Sequence, residues 1–371
     1  MASLKHMLRD LEQIVFRDRD QRAIPSMDGA LSPNDALDGL APIGEPVPDA
    51  DAATLGPDGA LYVTSGTRVL RLDGAGFARR ALFAELPAAG GGLAFHADAG
   101  LLVCVAGEGL VAIDAQGRQS WLREADGLPL LCLTDVAVAA NGTIFLAHGS
   151  DRHPPDQWLR DLMEKRATGR LLACDHELRR AHVLRAGLHY PHGLAIAEQA
   201  LWFTESWTHR LSRAAITGAG IASSEIVIRN LPGYPARLSP SADGGFWLSL
   251  FGLRTQLIEF VLREDDYRRE MMRDIDPALW IGPALASTGH YLEPLQGGGI
   301  KKLGIQKPWA PPRSYGLLIR TDETGRALES LHSRVGGRFH GITAAVETPQ
   351  GLVVVSKGRH RLLLREHGRA A

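Results

Sequence analysis

The feature that most limits what this chain can fold into is a unit that recurs along it: an alternating strand, a tight turn, then a second apolar strand. The turns fall at Pro57-Asp58-Gly59, Ala97-Asp98-Ala99-Gly100, Ala140-Asn141-Gly142, Glu198-Gln199, Ala242-Asp243-Gly244 and Pro349-Gln350-Gly351. Asp-Gly and Asn-Gly between alternating apolar runs are the strongest short-range hairpin signals. The strands that follow are LYVTS (61–65), LLVCVA (101–106), TIFLAH (143–148), LWFTES (201–206), FWLSL (246–250) and LVVVS (352–356). Further strands come after them, as in RVLRLD (68–73), GLVAID (109–114) and YGLLIRTD (315–322). Repeats of this size bury their faces by stacking radially on their neighbours, so the six units predict an all-β, six-bladed β-propeller.

Length alone would allow two average domains, but propellers routinely reach 371 residues as one. Gly (41) and Pro (21) are abundant, as many short strands with tight turns require. A formal net charge of −1 favours neither nucleic acid nor an anionic membrane surface as a partner. Cys104, Cys132 and Cys174 stand apart with no metal-ligand spacing, so they read as reduced core thiols in a reducing compartment. The first 18 residues carry no long apolar run of a secretory signal. The expected location is the cytoplasm, with no membrane span.

Leu4, Met7, Leu8, Leu11, Ile14 and Val15 recur at helical spacing, with Lys5, Arg9, Asp10 and Glu12 on the other face. This N-terminal amphipathic helix would pack on the body or on a second subunit, which leaves homo-oligomer formation through it open. The expected division is 1–44, helix and extended leader, and 45–371, propeller. Two units are stretched, at about 150–168 and 252–313, each with helical spacing inside it. Insertions between propeller strands gather at one mouth of the tunnel, so both are expected as caps over a pocket.

The stretch Tyr190 to Arg213, YPHGLAIAEQALWFTESWTHRLSR, carries a family pattern: aromatic-Pro-Asn-Gly, strand, polar turn, then a strand ending in a Glu-Thr-like pair. With the TGRLL-like run at Arg166 to Leu172, it resembles the strictosidine-synthase-like propellers and the related gluconolactonase and paraoxonase groups. In the metal-dependent relatives, Glu, Asn, Asn and Asp from four blades bind calcium in the tunnel. The resemblance puts those positions at Asp51, Thr134, His192 and Ala236. Calcium wants six to eight oxygens, several of them carboxylate or amide, so a calcium site of the family type reads as lost and no cofactor is expected. Asp51, His192 and His340 are the set left for a softer metal, should one be bound. The strictosidine synthase pattern places its pocket Glu two positions after a His. Here His340 is followed by Ile342 or, with a one-residue shift, Thr343, which disfavours that condensation.

These readings give His192, His340, Asp51 and Asp135 as candidate catalytic groups, since a His with a carboxylate can activate water for attack on an ester or lactone carbonyl. Thr134, Arg237, Tyr234, Trp207, Phe251 and His290 are candidate substrate contacts, and an Arg or hydroxyl could stabilise an oxyanion. Each histidine can equally be a hydrogen-bonded tunnel residue, Asp135 a loop anchor, and Arg237 a side chain turned into its blade. Glu205 is expected to anchor blade backbone, and His148, His153 and His209 to be surface or cap residues. The aromatic cap suggests a hydrophobic or aromatic small molecule. The expected function is hydrolysis of an ester, lactone or related cyclic bond. The alternatives are a lyase, isomerase or condensing enzyme, or a propeller that only binds its ligand.

Overall fold

The computed structural model describes residues 23–287 and 313–366, and the backbone of 301–302 and 305–306. Six antiparallel sheets of four or five strands form the blades of a propeller. The inner strands of blades 1 to 6 are Ala50–Leu55, Gly90–His96, Leu133–Val138, Pro191–Ala197, Gly233–Pro240 and Ile342–Thr348. Each is followed by the second strand that the turn signals predicted, at Leu61–Ser65, Gly100–Val105, Ile144–His148, Ala200–Glu205, Phe246–Leu253 and Gly351–Ser356. The second strand of every blade is largely buried, because both of its faces meet neighbouring blades. Cys104, Cys132 and Cys174 are buried and free.

The leader is not separate from the propeller. Ala41 and Pro42 pair with Leu364 and Leu363 and so become the outermost strand of blade 6. Upstream, Asn34 donates to the Ser330 carbonyl (2.9 Å) and Asp35 pairs with Arg334 (2.6 Å). The expected boundary at 44/45 therefore runs through the strand-closure region. The N-terminal helix lies outside the described residues.

One local irregularity repeats around the tunnel. The inner strands lose register with their neighbours at Ala50/Ala53, Gly90/Leu93, Leu133/Asp135, Pro191/Leu194, Pro235/Leu238 and Ile342/Ala344. A bulge re-aims a side chain and frees backbone groups from the ladder. Hydroxyls of the second strand pick up those groups. Thr204 accepts from Gly193 N (2.8 Å) and donates to Ala236 O (2.8 Å), clipping blade 4 to blade 5. Thr64 does the same from blade 1 to blade 2, between Ala52 N (3.1 Å) and Gly91 O (3.0 Å).

Among the described residues the insertions carry helices, Trp158–Glu164 in the first and Gln256–Arg263 and Asp265–Asp274 in the second. Met163 of the first packs with Val261, Met271 and Trp280 of the second, so the two caps share a small core. Asp161 fastens the first cap to blade 4. It accepts from Ser150 Oγ (2.5 Å) and from the indole N–H of Trp207 (2.7 Å). Among the described residues no helix is long and apolar enough to cross a membrane.

Candidate functional site

The bulges and the caps together line a half-open pocket of about 550 Å³. Its floor is Asp51, Thr134, His192, Arg237 and Thr343, each from the bulge of an inner strand, with Lys357 from the turn after the second strand of blade 6. One wall is aromatic: Trp158, Tyr190, Trp207 and Phe251. The opposite wall is small, with Ala88, Ala89, Gly90 and Ala106.

Arg237 crosses the tunnel. Its Nη2 donates to Asp51 Oδ2 (2.6 Å) and to the Thr134 carbonyl (2.7 Å), and its Nη1 to the Asp51 carbonyl (3.1 Å). Its Nε faces Asp135 Oδ1 at 3.4 Å, an ion pair without a directed hydrogen bond. Lys357 Nζ reaches the other oxygen of Asp51 at 2.5 Å. Burial would raise the Asp51 carboxyl, but the guanidinium and the ammonium overcome it and hold the group well below the ordinary carboxylate range. Asp51 is thus a locked counter-ion, with a cation on each of its oxygens.

Asp135 does not line the pocket. Its Oδ2 accepts from Leu194 N (2.8 Å), tying blade 3 to blade 4, and burial pushes its carboxyl up to about 6 against the opposing charge of Arg237. A Cβ at Gly92 would lie 2.2 Å from Asp135 Oδ1, so only glycine there lets the carboxylate sit where it does.

His192 and His340 divide sharply. His340 lies behind the pocket, with Nε2 against the Arg334 carbonyl (2.9 Å) and Nδ1 against Ser314 Oγ (2.8 Å). A carbonyl only accepts, so Nε2 carries the proton, Nδ1 takes the serine's, and no ring nitrogen is left for chemistry. The reason is local. Gly341 takes a positive φ of 64° and turns the chain, so the floor position of blade 6 is Thr343, whose hydroxyl donates to Asp51 O (2.6 Å). His192 sits in its bulge with Nδ1 3.4 Å from Ser206 Oγ. Ser206 spends its own proton on Pro235 O (2.7 Å), so it accepts from Nδ1–H and Nε2 keeps its lone pair. Nε2 has no hydrogen-bond partner among the described residues. Burial first, and the charge of Arg237 next, push this imidazole down to about 3, so it is neutral at physiological pH.

The other candidates sort in the same way. Thr134 lines the floor, but its hydroxyl is turned to Pro191 O (2.8 Å) and Ala147 O (3.2 Å). Trp207 and Phe251 form the wall, and Tyr234 stacks behind Phe251, away from the pocket (ring centroids 5.7 Å apart). Trp280 is in the cap core and donates to Ile275 O. His290 falls outside the described residues. His148 and His209 are buried rather than at the surface, near Arg170 and on the Gly233 carbonyl respectively. Glu205 accepts from His189 N (2.9 Å), the anchoring expected of it. Asp51, His192 and His340 do not converge as metal ligands. The only such group among the described residues is His96, Asp98 and His176, where both ring nitrogens of His96 already meet backbone. Lys357 was missed by sequence reasoning; its one signal was its place just after the second strand of the last blade.

The family model for strictosidine synthase matches residues 134–219, which take in blade 3 with the first cap inserted in it and most of blade 4. Strictosidine synthase-like protein 13 of Arabidopsis thaliana is 29% identical over 250 residues, 66% of this chain and 56% of its own length. The human adipocyte plasma membrane-associated protein is 27% identical over 132 residues, 35% of this chain and 32% of its own. The chain spans about half the length, or less, of the curated relatives it matches. Among solved structures, a gluconolactonase from Xanthomonas campestris superposes with a TM-score of 0.55 at 14% identity, covering 86% of this chain and 87% of that one. A calcium-binding regucalcin from Agrobacterium tumefaciens gives 0.54 at 13% identity, covering 89% and 93%. At such identities the likeness shows the fold alone. The chain is thus similar in sequence, over part of its length, to strictosidine synthase and the strictosidine synthase-like proteins, and shares the propeller fold of the gluconolactonases and regucalcin.

Proposed function

We propose that this protein is a small-molecule hydrolase that opens an ester or lactone bond in the capped pocket, with His192 as the general base. One observation carries the reading: an imidazole whose Nδ1–H is spent on Ser206 and whose Nε2 lone pair is unclaimed by protein, in a capped aromatic pocket that Lys357 also lines. His192 Nε2 would take a proton from water as the oxygen attacks the carbonyl carbon. Lys357 spends one N–H on Asp51 and has others to offer the oxyanion. Return of the proton from His192 to the leaving oxygen completes the cleavage, and in a lactone that oxygen stays on the same molecule. The wall of Trp158, Tyr190, Trp207 and Phe251 suits an aromatic or apolar body on the substrate.

A binding-only role is favoured by a different observation: behind His192 stands a serine, not a carboxylate, so the imidazolium that a base must become has little support. Turnover of a panel of aryl and alkyl esters and lactones by wild type and by His192→Ala separates the two. General-base catalysis is worth about 10²–10⁴-fold, so a loss of that size is expected. Unchanged turnover in the variant would remove His192 from the chemistry. Ligand binding without turnover by wild type would leave the binding role.

A further inference from the structure

We propose that Arg237 is a built-in cation, standing at the tunnel position that the resemblance assigns to calcium and taking over the work of joining the blades there. The proposal does not rest on the hydrolytic reading, and its readouts are binding and stability rather than turnover.

The oxygens around the guanidinium are of the kind a hard divalent cation collects: the Asp51 carboxylate, the Asp51 and Thr134 carbonyls and, further off, the Asp135 carboxylate. They come from blades 1 and 3, while the arginine comes from blade 5. The contacts link residues 186 and 103 positions apart in sequence, so this one side chain fastens three blades. Gly91 of blade 2 borders the guanidinium, and a Cβ there would lie 3.5 Å from Nη2, an ordinary contact. The side chain of Arg237 is 8% exposed, so the charge is walled in by protein. A metal at this place would have to displace a buried guanidinium from a carboxylate that Lys357 also holds. The two amide positions of the metal-dependent pattern hold Thr134 and His192, and the Asp position holds Ala236. The residues present therefore do not fit a calcium ion, and they do fit the arginine.

The experiment uses the full chain, freed of metal by chelator and gel filtration. Calcium binding is measured by equilibrium dialysis, and thermal unfolding is followed with chelator, with millimolar calcium and with millimolar guanidinium, far below denaturing levels. Wild type is expected to bind no calcium and to melt at the same temperature in all three. Arg237→Ala is expected to melt lower and to regain part of the loss with guanidinium or calcium, since either can enter the vacated oxygens and stabilise the folded form by mass action. Arg237→Gln, which keeps the stem and one amide donor, carries the same arms if the alanine variant does not fold. One equivalent of calcium on wild type would overturn the proposal. So would variants that neither cation recovers.

Discussion

The floor of the pocket and its aromatic wall are built by opposite means. The floor is a set of charges that hold one another: Asp51 between Arg237 and Lys357, with Asp135 on the far side of the arginine. No member keeps its geometry alone. The wall is assembled from rings in ordinary contact, Tyr190 on Trp207 at 4.4 Å between centroids and Trp158 on Phe251 at 5.3 Å, and the rings come from separate strand, turn and cap segments. A coupled floor fixes where a reacting group sits. A packed wall can change its shape residue by residue, so selectivity for the ligand's body can drift without disturbing the tunnel.

The strongest way to break this contrast is Asp51→Ala. It leaves the Arg237 guanidinium buried against carbonyls and one distant carboxylate, and breaking such a pair from one side costs about 3–5 kcal/mol. Urea unfolding of Asp51→Ala, Arg237→Ala and the double variant should show strong non-additivity, about 0.5–3 kcal/mol of coupling. Additive losses would mean the floor is no more a unit than the wall.

A smaller effect is expected from Trp207→Phe. The ring remains, but Asp161 loses the indole N–H and keeps Ser150 on its other oxygen. Asp161 is 2% exposed, and leaving a buried acceptor short of a donor costs about 1–3 kcal/mol. Because Asp161 belongs to the first cap, the loss should show as faster limited proteolysis around 151–157 before the propeller itself unfolds. Cleavage at the wild-type rate would place the cap's anchorage in packing alone.

The same contrast explains what the sequence could tell. The blades were legible because hairpins are local: each needs only a turn of the right chemistry between two alternating runs. The wall was legible in part, since Trp158 and Phe251 lie in or beside stretched units. The floor was not. Arg237 could be placed near the tunnel but not assigned its partners, which lie more than a hundred residues away and meet it only on ring closure. His340 was named beside His192 because the resemblance puts a functional position at each. Pro191 keeps His192 inside the strand, whereas Gly341 at positive φ lets His340 turn behind it. Lys357 sits outside every strand, and no periodicity marks it.

The smallest expected change is the one His192 should not show. Its folded pKa of about 3 lies below the ordinary 6.5, so between those values an unfolded chain takes a proton on this imidazole that the folded one refuses. Its contribution to stability is therefore retained above pH 6.5 and is lost progressively as pH falls from there toward 3. In the folded protein, long-range ¹H–¹⁵N spectra of the imidazole should stay in the neutral form, with the proton on Nδ1, from pH 8 down to pH 5. Lys357→Met should raise the pKa toward 6.5, since it removes one of the cations that oppose protonation and leaves the Asp51 charge less neutralised. A wild-type midpoint near 6.5 would show that the ring is solvated and that the floor's charges do not reach it. A wild-type midpoint well below that, unmoved in Lys357→Met, would credit burial and Arg237 alone.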